Sequence, residues 1–281
     1  MSELTSFVAL GDSFTEGLDD PYLADDQSTP VGPAAGKGAG DFRGWADRLA
    51  EYLAESHAPR LRYANLAIRG RRIDQVVEEQ VPMALEMKPD LVSFAAGVND
   101  AMRPNFDVDR VAGAQEEAVL ALREAGSQVL LICYGDPSRR SSVVGRMAAK
   151  IDAYNERTRQ LAADADCALM DFWEEYVFDD ARFWSPDRLH LSAIGHQRVA
   201  WAAAEAIGFS APAWNDPLPV EPELPWARRR LADVEWARAY FGPWIWRRLR
   251  RVSSGAGVSP KRPELMPVRT DEGVEASVAA H

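Results

Sequence analysis

The chain has 281 residues, 47% of them hydrophobic, which is enough for a substantial core. Its formal net charge of -11 excludes a general electrostatic attraction to nucleic acid. Its two cysteines, Cys133 and Cys167, lie in apolar runs without metal-ligand spacing, so they read as reduced core thiols with no metal or cofactor expected. Met1-Ser2-Glu3-Leu4-Thr5 carries no basic stretch, and no run is long enough to span a bilayer, so the expected compartment is cytoplasmic.

In chain order, the first strand-like run is 7–10, and it ends at Gly11-Asp12-Ser13-Phe14, followed by Glu16-Gly17. A serine at the end of a first strand is placed where its hydroxyl can be exposed. Residues 18–40 are acidic at first and then rich in Gly and Pro. Two readings of them stay open, a loop over the site and a solvated insertion. Helical spacing of apolar residues then marks 45–56, and a strand covers 61–67 just before Gly70. A helix over 73–87 and a strand over 91–96 lead into Gly97-Val98-Asn99-Asp100. The remaining elements are a helix over 108–125, a strand over 129–134, a helix over 143–165 and a strand over 168–171. Beyond them lies Asp187-Arg188-Leu189-His190, then a last helix with Ser192 as its N-cap.

Five strands alternating with helices predict an α/β fold, a three-layer α/β/α sandwich around a five-stranded parallel sheet. Loops at the carboxyl ends of such strands gather on one edge. Ser13, Gly70 and Asn99 all follow predicted strands, so they are expected to converge.

A serine hydroxyl is a weak nucleophile and needs a base within hydrogen-bond reach. His190 is the candidate base, and Asp187, three residues earlier, can orient its other ring nitrogen. His196 is the rival base, though its place inside the last helix favours a packing role. Asp12 is the rival acid, but neighbouring residues on an extended chain point to opposite sides.

The order and spacing of these blocks resemble the GDSL, or SGNH, hydrolase family, over about residues 5–208. The marker residues are Ser13, Gly70, Asn99 and His190. The resemblance implies a flavodoxin-like sheet and a metal-independent serine esterase with catalytic residues Ser13, His190 and Asp187. It also implies an oxyanion hole built from the Ser13 and Gly70 backbone N–H groups and the Asn99 amide. The expected substrate is a small-molecule carboxylic ester, with a short acyl chain as the default. Acyl transfer or carbohydrate O-deacetylation on the same site are the alternatives, and a non-catalytic binding protein is the third class. Arg69, Arg71 and Arg72 bracket Gly70 where the family pattern has small or polar neighbours. Solvated surface arginines are the expectation, and the alternative is that one of them favours a substrate with an anionic group.

Prolines 212, 217, 219, 222 and 225 break regular structure after a hydrolase domain spanning 1–210. An extension over 211–252 follows. Within it, residues 226–251 carry eight arginines against Asp233 and Glu235, with several tryptophans. Such a helix can lie on an anionic membrane or strap across its own domain. The strap is the expectation, because Gly242-Pro243 interrupts a membrane-type stripe. The tail 253–281 lacks apolar periodicity and is expected to be disordered. Oligomeric state is left unassigned.

Overall fold

The computed structural model describes residues 3–22, 42–140, 144–222, 225–236, 238–239 and 255–268. The expected loop over 18–40 and the tail beyond 268 therefore lie largely outside the described residues.

Strand β1 (Ser6–Gly11) runs into the one-turn helix α1 (Ser13–Glu16), which Asp12 caps by accepting from the Phe14 N–H. Helix α2 (Gly44–Ser56) leads to β2 (Arg62–Asn65). The predicted helix over 73–87 is two helices, α3 (Ile73–Glu79) and α4 (Val81–Met87). Pro82 explains the break, because its ring cannot donate an N–H and clashes with the preceding turn. The break is used, since Gln80 turns inward and both accepts from the Gly11 N–H (2.8 Å) and donates to the Gly11 carbonyl (2.9 Å). Then come β3 (Leu91–Ala95), the short α5 (Val98–Ala101), α6 (Val108–Glu124) and β4 (Gln128–Cys133). Helix α7 (Ala148–Asp164), β5 (Ala168–Asp171), α8 (Ala193–Ala206), α9 (Trp226–Trp236) and β6 (Arg262–Pro267) complete the order.

The sheet order is β5-β4-β3-β1-β2-β6. The first five strands are parallel, as predicted, and their order is the doubly wound flavodoxin-like one. The alternation of strand side chains feeds two cores. Phe7, Ala9, Tyr63 and Ile132 pack with α2 and α8, whereas Val8, Leu10, Val92 and Phe94 pack with α3, α4, α6 and α7.

The expectation of a disordered tail from 253 needs correction over 255–268. There β6 adds a sixth, antiparallel strand beside β2. Arg262 at its start and Lys261 just before it are buried. The Lys261 ammonium lies 3.0 Å from Asp47 Oδ1, and Arg262 Nε lies 3.5 Å from Asp47 Oδ2. Asp47 is fully buried and also accepts from the Tyr63 hydroxyl (2.8 Å).

Candidate active site

Three loops at the carboxyl ends of β1, β2 and β3 and the loop before α8 meet at one cavity of about 980 Å³. Ser13, Gly70, Asn99 and His190 all line it. The Ser13 hydroxyl is 3.1 Å from His190 Nε2, and His190 Nδ1 is 2.6 Å from Asp187 Oδ2. With Nδ1 protonated and donating to the carboxylate, Nε2 is free to accept the serine proton.

Asp187 is fixed from its other oxygen. Oδ1 accepts from the N–H groups of Leu189 (2.8 Å) and His190 (2.9 Å) and lies 2.6 Å from the Ser185 hydroxyl. Burial opposes its charge, yet its contacts with His190 hold the carboxyl well below the usual range. His190 shows the converse. Burial pulls the imidazole down, but the Asp187 hydrogen bond and charge, helped by Asp19 and Asp12, raise it above the ordinary histidine value.

The rival base and the rival acid make other contacts. His196 is 1% exposed, its Nδ1 accepts from the Trp45 N–H (3.1 Å), and its Nε2 donates to the Leu18 carbonyl (3.3 Å). Burial pulls it down to about 4, so it is a neutral packing group. Asp12 does not reach His190. Its Oδ2 accepts from the Asn99 amide at 2.7 Å, and burial pushes its carboxyl up to about 6.

Asn99 also donates to the Arg71 carbonyl (3.0 Å), so its amide bridges the serine block and the Gly70 block. Both amide hydrogens are engaged, and stabilising an oxyanion would exchange one of these partners for the substrate oxygen. Gly70 sits at φ +74°, a left-handed backbone that an L side chain resists. Asp100 accepts from the Ile73 N–H (2.9 Å) and fixes the start of α3 beyond it.

Sequence reasoning missed several groups. Asp19 Oδ2 accepts from the Ser185 hydroxyl at 2.8 Å and lies 3.8 Å from His190 Nδ1. In sequence it is one of several acids at the start of a polar loop, with no periodicity to distinguish it. Arg140 lines the cavity, its guanidinium carbon 3.3 Å from the centroid of the Trp184 ring, and burial pulls it down to about 10. Of the arginines around Gly70, Arg69 is tied to Glu16 (2.9 Å from Nε) and Arg71 to Glu79 (2.9 Å). Arg72 is exposed and lines the cavity.

Among the described residues, Asp19, Asp187 and His190 form the one group whose donor atoms could gather around a metal ion. Their hydrogen bonds to one another and to Ser185 account for the same atoms.

The chain belongs to the GDSL-like lipase/acylhydrolase family, whose model matches residues 9–198, and is accordingly a hydrolase acting on esters. Its fold is shared with solved structures of low sequence identity. Axe2, an acetylxylan esterase from Geobacillus stearothermophilus, is 20% identical with a TM-score of 0.58, over 75% of this chain and 96% of that one. LAE5, an alpha/beta hydrolase enzyme from the metagenome of Lake Arreo, Spain, is 22% identical with a TM-score of 0.57, covering 74% and 97%. TesA is 20% identical with a TM-score of 0.56, covering 73% and 98%. No protein of curated function matches at the level of sequence. Among the described residues, no helix is long and apolar enough to cross a membrane.

Proposed function

We propose that the protein is a serine esterase in which Ser13, His190 and Asp187 act as nucleophile, base and orienting acid. The observation that carries this reading is the chain of contacts from Ser13 Oγ to His190 Nε2 and from Nδ1 to Asp187, at 3.1 and 2.6 Å. Ser13 Oγ attacks the acyl carbon as its proton passes to Nε2. The imidazolium then returns that proton to the leaving alcohol, and an acyl-serine remains. Water then attacks the acyl carbon as it gives a proton to Nε2, and the imidazolium passes that proton to Ser13 Oγ as the acyl–oxygen bond breaks and the carboxylic acid leaves. Asp187 stabilises the imidazolium at both steps. The N–H groups of Ser13 and Gly70 and the Asn99 amide serve the oxyanion, each such donor being worth about 3 kcal/mol.

The cavity supports a substrate class. Met147, Ile151, Phe172 and Phe178 give it an apolar wall, and a volume of about 980 Å³ exceeds what an acetyl group needs. We therefore widen the short-chain default to esters of medium acyl length. A second reading, carbohydrate O-deacetylation, is favoured by the fold shared with an acetylxylan esterase. Arg72 is the arginine of the Gly70 group that would favour an anionic ester. Arg72→Ala should lower the ratio of anionic to neutral ester turnover, and an unchanged ratio would remove that role.

The test is hydrolysis of a p-nitrophenyl ester series, acetate to palmitate, beside acetylated xylo-oligosaccharide, by wild type and Ser13→Ala in EDTA. An optimum at intermediate chain length that disappears in Ser13→Ala supports the esterase reading. Turnover confined to the acetylated sugar supports the second.

A further inference from the structure

The segment matched by the family ends at residue 198, yet the chain beyond it returns to the active site at two places. First, the Trp236 indole N–H at the end of α9 donates to the Asp187 carbonyl at 2.8 Å. The neighbouring Arg188 guanidinium pairs with Asp233 of the same helix (2.8 Å) and lies 5.1 Å from the Trp236 ring centroid. Arg188 itself has φ +60°, a left-handed conformation that a non-glycine residue adopts only when its surroundings enforce it. It stands between Asp187 and His190. Second, Gly255 packs on the loop that carries Gly70. A Cβ at 255 would come within 2.2 Å of the Arg69 carbonyl oxygen. Lys261 adds hydrogen bonds to the carbonyls of Phe42 (3.1 Å) and Arg43 (2.7 Å) ahead of α2.

We infer that the C-terminal extension is an active-site brace, with Trp236 and Asp233 as positioning residues for the loop from Asp187 to His190. The inference rests on the serine-esterase reading above. Its physical basis is the short Asp187–His190 contact. That contact raises His190 only while the loop holds both side chains in register, and α9 grips the backbone between them. The contacts of α9 fall on the acid–base loop, whereas those of residues 255–261 fall on the Gly70 side. Loosening α9 should therefore act on proton transfer rather than on substrate capture.

Trp236→Phe removes the donor and keeps an aromatic ring beneath Arg188, and Asp233→Asn removes the ion pair. Either should lower kcat on p-nitrophenyl esters, roughly tenfold for Trp236→Phe, the size of one hydrogen bond. KM should stay unchanged. The acidic limb of kcat/KM should move to lower pH, because His190 loses part of the support that raises it. Tm should hold, and Val234→Ala, at an exposed position of the same helix (57%), should behave as wild type. An unmoved acidic limb in both variants, with or without a fall in Tm, would overturn the brace. Titration of the His190 ring protons by NMR, in the substrate-free full chain, separates this from failure of the esterase reading. A lowered His190 pKa in Trp236→Phe supports the brace even if no ester is turned over, and an unchanged one overturns it.

Discussion

The Ser185 hydroxyl has one proton for two carboxylates, Asp187 at 2.6 Å and Asp19 at 2.8 Å. Asp19 is also close enough to His190 Nδ1, at 3.8 Å, to support an imidazolium when Asp187 is removed. His190→Ala should therefore abolish ester turnover, while Asp187→Ala should be about two orders of magnitude less severe. Adding Asp19→Asn to Asp187→Ala should remove most of the remainder, which kcat measurements on the two single variants and the double variant will show. The acidic limb of kcat/KM should lie above the ordinary histidine value of 6.5, since the base proposed above is neutral His190 and its proton is held more tightly than usual. His196 has the opposite sign. Its folded-state value of about 4 lies below the ordinary 6.5, so the unfolded chain takes up the proton first as pH falls. Its contribution is complete above pH 6.5 and declines toward pH 4, by about 3 kcal/mol in all. Asp12, raised to about 6, acts in the opposite direction over the same range, so a variant comparison is needed. The unfolding free energy of wild type relative to His196→Asn should fall by roughly 2–3 kcal/mol between pH 7 and 4.5, as denaturant titrations at the two values can measure.

At the scale of elements, β6 is held by charge as much as by its ladder. Lys261 is 2% exposed and faces the fully buried Asp47. Lys261→Met should destabilise the fold by about 3 kcal/mol, because one partner of a buried pair is lost while the carboxylate stays. Chemical denaturation reads this directly, and a loss below about 0.5 kcal/mol, the usual range for surface changes, would show the pair to be unimportant. The same strand marks where sequence reading stopped. Strands β1, β3 and β4 were legible because each is an apolar run buried nearly throughout, whereas the shorter β2 and the half-buried β5 were legible from their spacing between helical segments. Strand β6, Arg262–Pro267, has two prolines and two charged residues in six positions, and nothing local marks it as a strand. It forms because Asp47 and the open edge of β2 await it, and both are distant in sequence. Ser13, Gly70 and Asn99 were legible as candidates because each follows a predicted strand, and Asp187 and His190 because they directly precede the last helix. Asp19, Ser185 and Trp236 were not, since their roles depend on which loops meet. The Pro82 break in the 73–87 helix was available in the sequence, but its use, the turn of Gln80 toward Gly11, was not.

Across the whole molecule, the parallel sheet supplies the loop edge, and α9 and residues 255–268 contact it from outside the family segment. The basic composition of 226–251 allowed a membrane surface or a strap, and the contacts of Asp233 and Trp236 with the 187–190 loop favour the strap. The balance of charge fits, since the net -11 of the chain includes this basic segment and the remainder is more acidic still. A chain ending at residue 210 should lose both β6 and α9. It should unfold at lower temperature than the full chain and aggregate through the bare edge of β2, as differential scanning calorimetry and light scattering can follow. The central claim is that Ser13 carries the acyl group during turnover. The most direct measurement is intact-mass and peptide mass spectrometry of the full chain, quenched in acid during hydrolysis of a p-nitrophenyl ester. The account predicts an added acyl mass on the peptide containing Ser13, absent in Ser13→Ala and in His190→Ala. Turnover by Ser13→Ala at the wild-type rate, or an adduct located on another residue, would contradict it.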